Sequence, residues 1–271
     1  MSGSVRATIN YIDQHAPKPT TYYIEPPEGV PVCSVVDDPR AVSITDVRDA
    51  GREFSIERDG FDFIKLPADF RDFDDHEQVK ARLYPEMQEI TETLLGRKVA
   101  AVFDHATRRR PDPNARLRGG GVARQPLHRV HCDFTPVSAR HQIMRTLGDA
   151  GKAWLERPFA LVNYWRPITG PLRDDPLAIC APQSVAPDDL VRVRHVYPYG
   201  ESEMYGVAHN PDHRWYYMSD MQPDDAIFFK VYDESGQRPL VAPHSAFSLP
   251  TPGAPVPPRE SFELRLMVFY D

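Results

Sequence analysis

The stretch HRVHCDFT, residues 128–135, is the part of the sequence around which the rest is organised. It predicts a β-strand, on which alternate side chains share a face, so His131 and Asp133 would point one way and Cys132 the other. A histidine and a carboxylate on one face are two of the three ligands of a 2-His-1-carboxylate metal site. The alternative is an ordinary His–Asp hydrogen bond on a sheet. The metal interpretation therefore depends on a second histidine elsewhere in the chain.

Composition limits the class of protein. The 271 residues carry a net charge of −7 without a dense basic stripe, which argues against nucleic acid as a partner. No apolar run approaches the roughly 20 residues of a membrane span, and no apolar signal core opens the chain, so we expect a soluble cytoplasmic protein without a membrane partner. The three cysteines are widely spaced, which argues against disulfides or a zinc ribbon. The oligomeric state stays open.

Proline content and periodicity indicate the fold class. The 28 prolines are about twice the usual share and favour short extended elements over a helical bundle. Short β-like runs are predicted at 20–24, 41–47 and 61–67, and many more follow residue 156. The turn residues at 222–225 predict a hairpin. We expect a mainly β protein with flanking helices, a sandwich or small barrel.

Two helices and one long loop interrupt the β pattern. Apolar spacing predicts a helix over 74–96, capped at Asp74, kinked at Pro85 and ended by Gly96. A second helix is predicted over 138–156, with Ser138 as N-cap. Residues 107–125 are rich in Arg, Pro and Gly and predict a loop, which we expect to be a lid over the site. The chain is predicted to be one domain, 1–271, with an N-terminal arm and helices over 1–98 and a core with one inserted helix over 99–271.

Two late features complete the constellation. His244 lies in a β-like run, PHSAF, and the final strand opens with Arg259-Glu260-Ser261. On that strand one face would be apolar, while the other would carry two arginines that need an anionic partner. The residues of the polar face are Arg259, Ser261, Glu263 and Arg265; those of the apolar face are Phe262, Leu264, Leu266 and Val268.

The order His-x-Asp, distant His, then Arg-x-Ser resembles the Fe(II)/2-oxoglutarate-dependent oxygenases. Over roughly residues 125–271, the runs NYWRPITGPLRDDPLAIC, RWYYMSDM, AIFFKVYDE, APHSAF and PPRESFELRLMVFYD resemble the branch with gibberellin desaturase, aspergillic acid hydroxylase and the cephamycin methoxylation proteins. The resemblance implies a double-stranded β-helix, a cupin-like jelly roll. It also implies Fe(II), 2-oxoglutarate and O2 as cofactors and co-substrates, and a small-molecule substrate from secondary metabolism. The two histidines stand farther apart here than in the plant members, so the pocket walls are hard to place.

The resemblance also assigns residues. It implies His131, Asp133 and His244 as catalytic iron ligands, with Arg259 and Ser261 on the far carboxylate of 2-oxoglutarate. Two neutral imidazoles and one carboxylate leave three adjacent positions free on the iron, and an arginine can grip a carboxylate with two hydrogen bonds. Asp133 favours hydroxylation, desaturation or cyclisation, with release of succinate and CO2, over halogenation.

Several alternatives remain. Arg265 is a rival clamp for 2-oxoglutarate, and Arg259 is preferred because Ser261 accompanies it. Asn163 and Trp165 share a predicted strand face and are candidate cofactor-binding residues, although Trp165 also suits the core. The alternative functions are a zinc-dependent hydrolase that uses the same triad and a non-catalytic jelly-roll partner subunit.

Overall fold

The fold was analysed in a computed structural model that describes residues 3–109, 124–236, 240–249 and 256–270. Most of the predicted lid, residues 110–123, lies outside these ranges. The strands are β1 (Ser4–Ile12), β2 (Thr20–Tyr22), β3 (Asp37–Asp46), β4 (Phe61–Lys65), β5 (Lys98–Arg109), β6 (His131–Cys132), β7 (Phe159–Pro167), β8 (Leu177–Cys180), β9 (Leu190–Tyr197), β10 (Gly200–Val207), β11 (Trp215–Tyr217), β12 (Asp225–Asp233), β13 (His244–Ala246) and β14 (Glu260–Phe269).

Two sheets form the jelly roll that the sequence predicts. The larger sheet has nine strands in the order β1-β3-β11-β8-β13-β6-β10-β9-β2, and the smaller has five in the order β4-β12-β7-β14-β5. The strands predicted at 20–24, 41–47 and 61–67 are present as β2, β3 and β4. Strands β11 and β12 belong to different sheets, so the hairpin predicted at 222–225 is wrong. The turn carries the chain from one sheet to the other.

One hydrophobic core lies between the two sheets, and a second lies behind the smaller sheet. The final strand divides its side chains between them. Phe262, Leu264, Leu266 and Val268 pack in the outer core, each fully buried, which contributes on the order of 1.5–3 kcal/mol per side chain. The polar residues predicted for the other face are also buried, and they point between the sheets. The alternation predicted for this strand is therefore confirmed.

Helices cover the outer core and one end of the sandwich. They are α1 (Ile56–Asp59), α2 (His76–Gln78), α3 (Tyr84–Leu95), α4 (Pro136–Leu147) and α5 (Ala150–Trp154), with 3-10 turns at Val47–Asp49, Pro182–Ser184 and Pro187–Asp189 and a π-helical turn at Val79–Leu83. No helix in the described ranges is both long and apolar enough to cross a membrane.

The two predicted helices differ in detail from those observed. The first is interrupted by the π-helical turn just before Pro85, and its cap is Asp75, whose carboxylate accepts the backbone N–H groups of Glu77 and Gln78. Gly96 ends it in a left-handed conformation, as predicted.

The second predicted helix is two helices. Thr135, not Ser138, caps α4, and its hydroxyl accepts the Ser138 N–H at 3.2 Å while the Ser138 hydroxyl accepts the Thr135 N–H at 2.9 Å. This reciprocal capping box places the N-cap three residues closer to the N-terminus than predicted. Gly148, at a φ of 56°, ends α4 before α5 begins.

Candidate active site

Two adjacent strands of the larger sheet bring the predicted triad together. His131 on β6 and His244 on β13 are direct cross-strand partners, with ring centroids 4.3 Å apart. Asp133 follows β6, and its Oδ1 lies 3.4 Å from His131 Nε2 and 3.7 Å from His244 Nε2. Among the described residues, this is the one group of three or more His, Cys, Asp or Glu side chains with donor atoms close enough for a metal.

Hydrogen bonds fix the orientation of both imidazoles. His131 Nδ1 donates to the Arg129 carbonyl at 2.9 Å, and His244 Nδ1 donates to the Ala242 carbonyl at 3.1 Å. Because these bonds require the proton on Nδ1, both Nε2 lone pairs are directed toward the Asp133 carboxylate. The rings are thus held with their metal-binding nitrogens inward.

The protonation states also suit a metal. Burial lowers the pKa of His244 to about 4, assisted by the neighbouring His131, so its imidazole is neutral near pH 7. Burial alone would raise the pKa of Asp133, but the Arg265 guanidinium holds it well below its ordinary value. Two imidazole nitrogens and one carboxylate oxygen on a single face form the donor set that suits Fe(II) and leaves adjacent positions open.

Arg259 supplies a buried positive charge near the triad. It is 2% exposed, and its guanidinium donates to the Ser261 hydroxyl at 3.0 Å and to the Asp175 carbonyl at 2.6 Å, with its carbon 5.0 Å from the Trp165 ring centre. Burial, with the charge of Arg108, lowers its pKa to about 10, so it stays charged.

The charge of Arg259 has no carboxylate in an ion pair among the described residues. Glu263, the acid that the sequence placed near it, pairs instead with Arg108 and Arg265. A buried guanidinium without a carboxylate in direct contact is costly, although the charges of Glu263, Asp175 and Asp174 stabilise this one in part. A small cavity of about 20 Å³ lies beside the guanidinium and is bordered by Arg259, Trp165, His131 and His244.

Arg265, the rival clamp, is occupied by three carboxylates. It contacts Asp104 at 2.7 Å, Glu263 at 2.6 Å and Asp133 at 3.4 Å. Asn163 lies beside it and donates from Nδ2 to Asp133 Oδ2 at 2.9 Å. Of the two candidate pocket residues, Trp165 therefore lies at the Arg259 cavity, whereas Asn163 contacts the Asp133 carboxylate.

A wide cleft of about 1360 Å³ opens from the triad, with His131, Asp133 and Arg265 at its base. Tyr23, Tyr197 and Tyr199 stack on one wall in parallel, with centroids 4.5 and 5.1 Å apart. His195 lies on the same wall, its Nδ1 3.3 Å from the Tyr197 hydroxyl. Sequence reasoning missed this wall. The alternate positions of His195 and Tyr197 on one predicted strand were the available signal, while Tyr199 lies in the turn that follows β9.

Comparison with known proteins identifies the family. A family model described as an oxidoreductase/YMDC permease-like domain matches residues 9–269. The alpha-ketoglutarate-dependent dioxygenase phiK from a fungal species is 31% identical, over 81% of this chain and 80% of the relative. The hydroxylase/desaturase efuI of Hormonema carpetanum is 30% identical over the same shares.

A solved structure shares the fold. The iron and alpha-ketoglutarate-dependent endoperoxidase NvfI superposes with a TM-score of 0.86 at 24% identity, over 98% of each chain. The relatives support the oxygenase interpretation over the zinc hydrolase and the non-catalytic subunit. The chain belongs to the Fe(II)/2-oxoglutarate-dependent dioxygenases, as the order of its histidines, aspartate and arginine indicates.

Proposed function

We propose that His131, Asp133 and His244 hold Fe(II), and that Arg259 and Ser261 bind the far carboxylate of 2-oxoglutarate. The single observation that carries this proposal is the convergence of two imidazole Nε2 atoms on one carboxylate oxygen, at 3.4 and 3.7 Å. These separations are long for good hydrogen bonds, and they leave the inward lone pairs available to an ion. Bound iron would couple O2 and the decarboxylation of 2-oxoglutarate to oxidation of a substrate.

The chain's own residues have separate tasks in this proposal. The carbonyls of Arg129 and Ala242 keep both imidazoles in the tautomer that presents Nε2. Arg259 orients the co-substrate with a charge-assisted hydrogen bond, while Ser261 holds the Arg259 side chain through Nε. Trp165 packs over the guanidinium and keeps water from it.

The small-molecule substrate would enter the wide cleft. Several charged side chains on its wall are paired within the protein, such as Arg129 with Asp37 and Glu201 with Arg194. Glu203 and Arg145 hydrogen-bond instead to the neutral side chains of Thr135 and Gln142. The tyrosine stack adds a flat aromatic surface, so we propose a largely uncharged substrate with ring systems. Hydroxylation, desaturation and cyclisation all suit this site, and the cytoplasmic location stays a prediction.

Anaerobic binding tests the two parts of the site separately. Fe(II) with 2-oxoglutarate should give the weak visible charge-transfer band of the chelate. Arg259→Met should weaken 2-oxoglutarate binding by about 10- to 100-fold, since charge-assisted hydrogen bonds contribute about 1.5–3 kcal/mol. Metal affinity without 2-oxoglutarate should stay unchanged.

Arg109→Met is the matched control, because Arg109 pairs with Asp74 and Glu260 and contacts neither the triad nor its cavity. It should keep the affinity of the original protein for 2-oxoglutarate. Absence of the band, together with no succinate under O2 and candidate substrates, would contradict the proposed function. Equal losses in both variants would contradict the role of Arg259.

A further inference from the structure

The geometry points to Asn163 and Arg265 as positioning residues that hold Asp133 as a one-oxygen metal ligand. This inference rests on the proposed function, since it needs a metal at the triad. Neither side chain is itself a metal ligand. Both act through the Asp133 carboxylate, by occupying the oxygen that faces away from the two histidines.

The two oxygens of Asp133 have different surroundings. Oδ1 faces His131 and His244, as described above. Oδ2 accepts a hydrogen bond from Asn163 Nδ2 at 2.9 Å and a longer one from Arg265 Nε at 3.4 Å. The carboxylate therefore cannot turn about its bond to Cβ without losing one or both donors.

One strand pairing places both donors. Asn163 on β7 and Arg265 on β14 are direct cross-strand partners in the smaller sheet, which faces the histidine strands of the larger sheet. The Arg265 terminal nitrogens are anchored by Asp104 and Glu263, which leaves Nε toward Asp133. Three carboxylates, those of Asp104, Glu263 and Asp133, thus fix the position of the Arg265 guanidinium.

Asn163 carries an uncompensated cost that supports a specific role. It is 1% exposed, and its Oδ1 is buried without a hydrogen-bond partner among the described residues. An unsatisfied buried acceptor costs about 1–3 kcal/mol, which a leucine of similar size would avoid. The amide is therefore poorly explained as packing and well explained by its N–H donor to Asp133.

Coordination chemistry gives the consequence. A carboxylate that binds through both oxygens takes up an additional position on the metal. The facial arrangement must leave three positions for a bidentate 2-oxoacid and O2. Two donors on Oδ2 disfavour that second metal bond and keep the positions open.

Metal titration tests the inference without turnover. Metal-free protein is titrated anaerobically with Fe(II) and, separately, with Co(II), whose visible ligand-field absorption reports coordination geometry. Asn163→Leu and Arg265→Lys should each weaken metal binding by about 10- to 100-fold, as loss of outer hydrogen bonds to a ligand does elsewhere. The absorption spectrum of bound Co(II) should change in both.

Arg109→Lys is the matched control for an arginine held by two carboxylates away from the triad. It should leave metal affinity and spectrum unchanged. Asn163→Leu also keeps the test decisive if Arg265→Lys fails to fold, because it removes no charge.

Two results would overturn the inference. In the first, the original protein binds metal, and folded Asn163→Leu binds it equally or more tightly with the same Co(II) spectrum. The positioning role is then wrong, while the proposed function stands. If the original protein binds neither metal, the proposed function fails and the positioning role fails with it.

Discussion

Two of the clusters in the described part of the chain combine histidine with aspartate in the interior, and they differ in what their nitrogens contact. One is the triad of His131, Asp133 and His244. The other, which we call the tyrosine–aspartate cluster, consists of Tyr11, Asp189, His213 and Trp215. The presence of a His–Asp pair does not distinguish the two clusters, since each places an imidazole against a carboxylate in the interior.

The tyrosine–aspartate cluster is closed by its own hydrogen bonds. Trp215 Nε1 donates to the Tyr11 hydroxyl at 2.8 Å, that hydroxyl lies 3.2 Å from His213 Nδ1, and His213 Nε2 lies 3.0 Å from Asp189 Oδ2. Both nitrogens of His213 therefore have partners. In the triad, only the Nδ1 atoms form hydrogen bonds within the part of the chain that the structure describes, and both Nε2 atoms are left without one. Unsatisfied inward lone pairs, rather than the His–Asp pair itself, distinguish a metal site from a structural one.

The largest effect should come from the same substitution made in each cluster. Asp133→Ala should abolish detectable binding of Fe(II), a loss of more than about 100-fold, because a metal ligand matters at least as much as its outer partners. Asp189→Ala should retain the affinity of the original protein. Isothermal titration with Fe(II) under argon measures both. Retained Fe(II) binding in Asp133→Ala would show that the triad does not differ from the tyrosine–aspartate cluster as a metal site.

An intermediate effect is expected on the stability of the tyrosine–aspartate cluster. Asp189→Ala should lower the free energy of unfolding of the metal-free protein by about 1–3 kcal/mol, since it leaves the part-buried His213 and Asn210 donors unsatisfied. Chemical denaturation monitored by circular dichroism measures this loss. A neutral result would show that Asp189 is not the partner that closes the cluster.

The smallest effect concerns pH. Burial lowers the pKa of His213, against the opposing influence of Asp189, so the unfolded chain takes up a proton at higher pH than the folded one. The stability contribution is complete above the ordinary histidine pKa of about 6.5 and is lost as pH falls toward the folded pKa.

We therefore expect the Tm of metal-free protein to fall between pH 7 and pH 5, and to fall less steeply in His213→Asn. Thermal scans at both pH values compare the two slopes. Parallel slopes would mean that His213 does not contribute to this pH dependence.

The sequence could predict a mainly β fold, because strand alternation is a short-range pattern, whereas the candidate site residues followed from the resemblance to a known family. Alternation on the last strand placed Arg259 and Arg265 on one face, opposite the apolar residues, and the structure buries both. Cross-strand neighbours were not visible: nothing in the sequence indicates that Asn163 and Arg265 lie side by side. The cap of α4 was misplaced because Thr135 and Ser138 are both good N-caps, and only their reciprocal hydrogen bonds decide between them.

The last strand contributes both to the apolar core and to the site around Asp133, and a change in its length would affect both. Its even and odd positions serve different halves of the molecule, one the apolar core and the other the charged surroundings of Asp133. Inserting a single residue between Ser261 and Arg265 would exchange the faces of everything beyond it. Leucines would then face the metal site and charges the core. For protein engineers, this strand can accept substitutions but not changes of length.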